Sequence, residues 1–215
     1  MNASLPMVLV VDDDDASLRA TARLLRAAGL EVRTYASAED LLAALDGVQC
    51  GCIVADLQMP GVDGLALQEA LAAGGCRLPL VFLTGHADIP SAVRAMRGGA
   101  EDFIEKLAPA AELLDAVHRA LRRSELDGVE QGRREALHAR LARLTPRERQ
   151  VLLQVVHGRL NKQIAGDLGI HERTVKLHRT AITTKLGVHS VAELTSVCHE
   201  AGLLDPQDRT CPKGQ

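Results

Sequence analysis

Short β-branched runs alternate five times with helical patterns over the first half of the chain, and few folds accommodate that alternation. Met7 to Val11 reads as a strand, followed by a helix from about Asp14 to Ala28 closed by Gly29. Next come the strand Glu31 to Tyr35, a helix capped by Ser37, the strand Gly51 to Ala55 and a helix after Asp63. The strand Leu78 to Leu83 and a helix after Pro90 follow, Phe103 and Ile104 mark a fifth strand, and Pro109 opens a fifth helix. Strands separated by helices pair in parallel, because each crossover returns the chain to the same end of the sheet. The helices then cover both faces. The predicted fold of this half is α/β, a doubly wound five-stranded parallel sheet.

The second half has a different grammar. From Arg122 to Arg143 the chain is polar, Gly128 and Gly132 interrupt it, and Leu137, Leu141 and Leu144 then recur at helical spacing. Thr145-Pro146-Arg147-Glu148 joins a capping box to a proline at the first helical position, and Ser190-Val191-Ala192-Glu193 is a second capping box. Between them Asn161 to Leu168, Gly169, and about Glu172 to Lys185 spell helix, tight turn, helix. At 215 residues the chain exceeds the usual single domain. The expected organisation is a first domain over 1–122, a partly helical linker over 123–143, a small all-α domain over 144–204 and a loose tail over 205–215.

Charge separates the halves. Residues 1–120 carry 9 Lys+Arg against 17 Asp+Glu, whereas residues 121–215 carry 16 against 11. An acidic half suits a cation site and a basic half suits phosphates. No apolar run is long enough to span a bilayer and the first residues lack a secretory pattern, so a cytoplasmic protein with no membrane partner is expected. Cys50, Cys52, Cys76, Cys198 and Cys211 are odd in number and lack zinc-ligand spacing, which predicts free thiols.

In an open parallel sheet, ligands sit beyond the carboxyl ends of the strands. Asp12 and Asp13 end the first predicted strand and Asp56 ends the third. Three carboxylates gathered there repel unless a hard cation neutralises them, and an all-oxygen site with open positions suits Mg²⁺. A metal beside an exposed carboxylate can serve phosphoryl transfer. Thr84, closing the fourth strand, can offer a hydroxyl to a phosphoryl oxygen, and Lys106, past the fifth, can neutralise another. Asp14 and Asp15 read as an acidic helix cap.

Val10-Val11-Asp12-Asp13, Asp56-Leu57-Gln58-Met59-Pro60-Gly61, Leu83-Thr84-Gly85-His86 and Asp102-Phe103-Ile104-Glu105-Lys106 resemble, in order and spacing, the motifs of CheY-like receiver domains over about residues 5–122. The resemblance implies that Asp56 is the phosphoacceptor of a sensor histidine kinase. It further implies that Asp12, Asp13, Asp56 and the Gln58 backbone carbonyl hold Mg²⁺, and that Thr84 and Phe103 form a switch pair. One residue departs from the pattern: Leu107 stands where the family places a proline after a cis bond. A cis bond costs about 2.5–4 kcal/mol before a non-proline residue, so a trans bond is expected, with Lys106 less firmly placed over the phosphoryl group and the lifetime of the phosphorylated state altered.

On the second helix of the predicted pair, Val175, Ile182 and Leu186 share one face, while Arg173, Lys176, Leu177, Thr180 and Thr184 share the other. A cationic stripe on a short helix is the form that enters the major groove. Leu144-Thr145-Pro146-Arg147-Glu148-Arg149, Asn161-Lys162-Gln163-Ile164-Ala165 and Arg173-Thr174-Val175-Lys176-Leu177-His178 resemble the LuxR-type helix-turn-helix domain over about residues 142–204. With the receiver pattern in front, the chain resembles regulators of the NarL/FixJ subfamily, nearer FixJ. By position, the resemblance implies base contacts from Lys176, Leu177 and Thr180. It also makes Arg147, Asn161, Lys162, Arg173 and Lys185 candidates for phosphate contacts. His171 replaces the usual Ser or Thr cap, so that helix start should lack its side-chain cap. No aromatic residue follows Phe103, which favours duplex DNA over single strands or RNA.

The function these resemblances imply is a response regulator transcription factor. Phosphorylation would promote homodimerisation through the fourth helix and fifth strand and binding to double-stranded promoter DNA, with RNA polymerase as a further candidate partner. Such a receiver is no enzyme beyond its own phosphorylation and dephosphorylation. Two alternatives remain open at this stage. One is a Mg²⁺-dependent phosphatase resembling the haloacid dehalogenase type, with Asp12 as nucleophile and Asp14 as acid/base. The other is a DNA-binding protein indifferent to phosphorylation.

Overall fold

The computed structural model describes residues 7–45, 48, 50–85 and 88–203. His86, Cys211 and the predicted tail over 205–215 lie outside the described residues. The chain divides into two units, Met1–Val129 and Glu130–Gln215.

The first unit is built as β1 (Met7–Val11), α1 (Asp15–Ala27), β2 (Glu31–Tyr35), α2 (Ala38–Ala43), β3 (Gly51–Asp56), α3 (Gly64–Ala73), β4 (Leu80–Thr84), α4 (Ile89–Arg97) and β5 (Asp102–Glu105), and α5 (Ala110–Ala142) begins in it. The five strands form one sheet in the order β2-β1-β3-β4-β5, every pair parallel. The central strands β1, β3 and β4 are almost wholly buried, as expected of a sheet with helices on both faces. Leu9, Val11, Ile53, Ala55, Phe82 and Leu67 make the core on one face. Val8, Val10, Val54, Val81, Leu25 and Val117 make it on the other. Alternate residues of each strand thus feed opposite cores, which is the period-2 geometry of a pleat.

Local chemistry sets the helix starts. The carboxylates of Asp14, Asp63 and Asp88 and the hydroxyl of Ser37 each accept amide N–H groups in the first turn of α1, α3, α4 and α2. The fourth helix starts at Ile89 and includes Pro90 rather than following it. Proline lies within the first two helical positions, where its missing N–H has no partner to lose. The fourth strand begins at Leu80 rather than Leu78, just after Pro79, which has no N–H to give a ladder.

The predicted interruption at Gly128 and Gly132 does not occur: α5 runs unbroken from Ala110 to Ala142. An isolated glycine costs a helix about 1 kcal/mol against alanine. Around these two, Arg123–Asp127, Glu130–Arg134 and Gln131–Glu135 pair one turn apart and offset part of that cost.

The second unit contains the end of α5 with α6 (Pro146–Val156), α7 (Asn161–Leu168), α8 (Glu172–Leu186) and α9 (Val191–Glu200). Leu137, Leu141, Val151, Leu152, Ile164, Val175, Ile182, Leu186 and Leu194 close its core. Thr145 and Glu148 form the full capping box at the start of α6. At α9 the box is displaced: Ser190 accepts from the Glu193 amide, but the Glu193 carboxylate accepts from the His189 amide rather than that of Ser190. Gly169 ends α7 at φ +62°, a left-handed conformation that turns the chain into α8. The N-cap of α8 is His171, which makes no side-chain cap bond, as its sequence implies.

Candidate functional site

From β1 the chain proceeds to β2 on one side and, through β3, to β4 and β5 on the other, so the strand order reverses between β1 and β3. Parallel register pairs Val11 with Ala55, which sets Asp12 and Asp56 side by side at the carboxyl ends of the two strands. Asp12, Asp13 and Asp56 bring one carboxylate oxygen each within 4.8 Å of one another. Asp12 and Asp56 are buried and Asp13 is exposed.

Lys106, one residue past β5, is held by the hydrogen bond that its amide N–H donates to the Thr84 carbonyl. Its ammonium lies 2.7 Å from Asp12 Oδ2 and 3.2 Å from Asp56 Oδ2. Burial alone would lower the Lys106 pKa, but bonding to Asp12 and the charge of Asp56 outweigh it and raise the value. No cis peptide bond occurs among the described residues, and Leu107 is exposed to solvent. The bond before Leu107 is trans, as expected, and without a phosphoryl group the two carboxylates hold the ammonium.

Asp56 is the unusual member. Burial pushes its carboxyl above the ordinary carboxylate range against the opposing charge of Lys106. Its Oδ1 is buried and accepts no hydrogen bond. A buried oxygen without a donor, beside two more carboxylates, is what a hard divalent ion completes. The donor set is all oxygen and therefore fits Mg²⁺.

Thr84 is fully buried at the end of β4. Beneath it the rings of Phe82 and Phe103 approach to 6.2 Å at 52°, with Phe82 fully buried and Phe103 only partly so. A cavity beside the carboxylates is lined by Asp13, Gln58, Met59, Asp63, Ser91 and Arg94. One side chain and one backbone amide bond this site without a sequence expectation. Ser17 donates to Asp12 Oδ2 at 2.5 Å, and the Asp14 amide donates to Asp12 Oδ1 at 2.9 Å. Nothing in residue type alone marks a serine in the first turn of a helix as a partner of a strand-end aspartate.

In the second unit, Val175, Ile182 and Leu186 of α8 point into the core, and Arg173, Lys176, Leu177, Thr180 and Thr184 are exposed, matching the amphipathic reading. Lys162 on α7 is exposed as well. Three other candidates are engaged within the unit. Arg147 donates to the Leu168 carbonyl, Asn161 accepts from Arg179 at 2.8 Å, and Lys185 pairs with Glu148 at 2.7 Å. Nothing in the sequence around Arg179 on α8 points to a partner 18 positions away.

A carboxylate crevice on a doubly wound sheet, followed by a helix pair with a cationic exposed face, defines a two-part regulator that couples a chemical input to DNA. The family described as "Response regulator receiver domain" matches residues 8–118, and that described as "Bacterial regulatory proteins, luxR family" matches residues 142–198. The chain is 43% identical over 210 residues to the transcriptional regulatory protein FixJ of Azorhizobium caulinodans, covering 98% of this chain and 99% of that protein. It is 40% identical over 197 residues to the response regulator protein TmoT of Ectopseudomonas mendocina, covering 92% and 90%. Among solved structures, the response regulator StyR superposes with a TM-score of 0.83 at 42% identity, covering 92% of this chain and all of that one. The chain belongs to the response regulators, with a receiver domain and a LuxR-type DNA-binding domain, and is a transcriptional regulator of the FixJ kind. Among the described residues no helix is long and apolar enough to cross a membrane.

Proposed function

We propose that Asp56 is the phosphoacceptor, that its modification is the input of this regulator, and that the exposed face of α8 is the output. The observation that carries the reading is the state of the Asp56 carboxylate: Oδ2 is neutralised by Lys106, the carboxylates of Asp12 and Asp13 come within 4.8 Å, and Oδ1 is buried without a donor. Such an oxygen is a nucleophile held in place and short of solvation. It would attack the phosphorus of a phosphohistidine on a sensor kinase, forming an acyl phosphate as the P–N bond breaks and the imidazole leaves. Asp12, Asp13, Asp56 and the Gln58 carbonyl would hold Mg²⁺, which when bound offsets the negative charge of carboxylates and phosphoryl oxygens.

Lys106 is already within ion-pair distance of Asp56 and would stay with the phosphoryl oxygens. The Thr84 hydroxyl would turn to bond one of them, and Phe103, only partly buried, would move into the space behind it. Ile89, Val93 and Met96 form an exposed apolar stripe along α4 at spacings of one and two turns, which supports dimerisation on the α4–β5 face. A dimer reads two half-sites and gains affinity through effective concentration. On each, Lys176, Leu177 and Thr180 would meet base edges in duplex promoter DNA, while Lys162 and Arg173 meet phosphates. RNA polymerase is a candidate partner of the bound dimer, and the cytoplasm is where such a protein would meet kinase and promoter.

The phosphatase alternative lacks its acid/base: the Asp14 carboxylate caps α1, and the Ser17 and Ala16 amides hold it below the ordinary carboxylate range. The test is mass spectrometry after incubation with a small acyl phosphate and Mg²⁺. One phosphoryl adduct should appear on the parent, map to Asp56 and be absent from Asp56→Asn. An adduct on Asp12, or none, overturns the reading.

A further inference from the structure

We infer that Ser17 is a positioning residue of the carboxylate site, its hydroxyl fixing the Asp12 carboxylate in the orientation a divalent cation requires. The inference rests on the reading of Asp12, Asp13 and Asp56 as cation ligands and extends it to a residue outside that set.

Three hydrogen bonds close a ring. The Asp14 amide donates to Asp12 Oδ1 at 2.9 Å, the Ser17 amide donates to Asp14 Oδ1 at 2.8 Å, and the Ser17 hydroxyl donates to Asp12 Oδ2 at 2.5 Å. Asp14 is the N-cap of α1 and Ser17 the third residue of that helix, so the cap that starts the helix also sets where the hydroxyl stands. Each member fixes the next, and the last returns to the carboxylate that began the chain.

The consequence lies in how the lone pairs of Asp12 are shared. Oδ2 receives two donors, the Ser17 hydroxyl and the Lys106 ammonium at 2.7 Å. Oδ1 receives one amide and so keeps a free lone pair for a cation. Without the hydroxyl, nothing but Lys106 holds Oδ2, and the carboxylate can rotate about its last torsion to follow the flexible ammonium. The cation would then have to reorient its ligand on binding. Partners that orient a metal ligand typically contribute about 10- to 100-fold to metal affinity.

The experiment is calorimetric titration of the full chain with Mg²⁺ and no phosphodonor. It compares the parent, Ser17→Ala, Ser17→Thr and, as a ligand control, Asp13→Asn, each first checked for an unaltered thermal midpoint by circular dichroism. Ser17→Ala should bind Mg²⁺ about tenfold more weakly. Ser17→Thr, which keeps a hydroxyl on the same carbon, should come back to within about threefold of the parent, a rescue that a merely structural role at this position would not produce. If Ser17→Ala matches the parent, or if Ser17→Thr binds no better than Ser17→Ala, the role of Ser17 is overturned while the site itself stands. A parent that takes up no Mg²⁺, or an Asp13→Asn variant that binds as the parent does, overturns the underlying site, and the role of Ser17 with it.

Discussion

The Lys185 ammonium lies 2.7 Å from Glu148 Oε2 and 2.9 Å from Oε1, joining the last turn of α8 to the first turn of α6. The same carboxylate accepts the Thr145 amide at 2.7 Å, so one buried side chain closes both a helix cap and a tertiary ion pair. This bond holds α8 against α6, and Lys185 is thereby committed to the architecture of the unit.

A pH dependence follows from that bond. The Lys185 ammonium, with help from the Thr145 amide, holds the Glu148 carboxyl below the ordinary glutamate value of about 4.3. A group whose folded pKa is lowered contributes stability that is complete above its unfolded value and is lost as pH falls through the folded value. Glu148→Gln should be less stable than the parent by about 1–3 kcal/mol at neutral pH, and the gap should shrink below about pH 4. Denaturant unfolding followed by circular dichroism at a series of pH values measures the gap. A difference that stays constant down to acid would mean that the charge of Glu148 contributes nothing.

Lys106 acts as a resident cation for Asp12 and Asp56, at 2.7 and 3.2 Å. Replacing it by the isosteric but neutral Met leaves two buried carboxylates without countercharge and removes a competitor for Mg²⁺. Metal-free Lys106→Met should unfold at a lower temperature and bind Mg²⁺ about threefold or more tightly, because a competing cation is gone. Phosphorylation by a small acyl phosphate should nevertheless slow by about tenfold or more, because the charge that meets the phosphoryl oxygens is gone. Calorimetry and timed mass measurements separate the two effects. Weaker Mg²⁺ binding would show that Lys106 shapes the site rather than competing for it.

The strand-end positions of Asp12, Asp13, Asp56, Thr84 and Lys106 were legible because the five-fold alternation dictates a parallel sheet, and a parallel sheet gathers strand ends at one edge. The buried face of α8 was legible because its apolar residues recur at helical spacing. What sequence could not supply was pairing at a distance. Glu148 reads as an ordinary capping residue, and its bond to Lys185 spans 37 positions with no periodicity to announce it. Ser17 and Arg179 are invisible for a related reason: each is unremarkable on its own helix and acquires meaning from one atom of another element. Gly128 and Gly132 read alone suggest a break in α5, but the flanking one-turn pairs offset their cost.

Gly51 opens β3 at φ +147°, and a Cβ added there would stand 2.2 Å from the Met7 carbonyl oxygen of β1. Its amide also donates to the buried Ser124 hydroxyl of α5 at 3.0 Å. Gly51→Ala must therefore push apart the two strands whose ends carry Asp12 and Asp56. It should destabilise the first unit by about 2–4 kcal/mol, in the range where overpacking and backbone strain add. Mg²⁺ binding should weaken with it as the carboxylates separate. A variant of parental stability would require a backbone path here unlike the one described.

On α8, Lys176 and Thr180 are exposed in the middle of the helix, whereas Lys162 stands on α7 beside it. If the first two meet base edges and the third a phosphate, their removal has different signatures. Lys176→Ala should cost about 1–3 kcal/mol on the specific site and little on unrelated duplex, narrowing the ratio between them. Lys162→Ala should weaken both duplexes alike and reduce the slope of log affinity against log salt by about one counterion. Titrations of labelled duplexes at several salt concentrations, with the phosphorylated full chain, give both quantities at once. Should Lys176→Ala lower affinity for both duplexes equally, that lysine would belong with the phosphate contacts, and sequence reading would fall to Leu177 and Thr180.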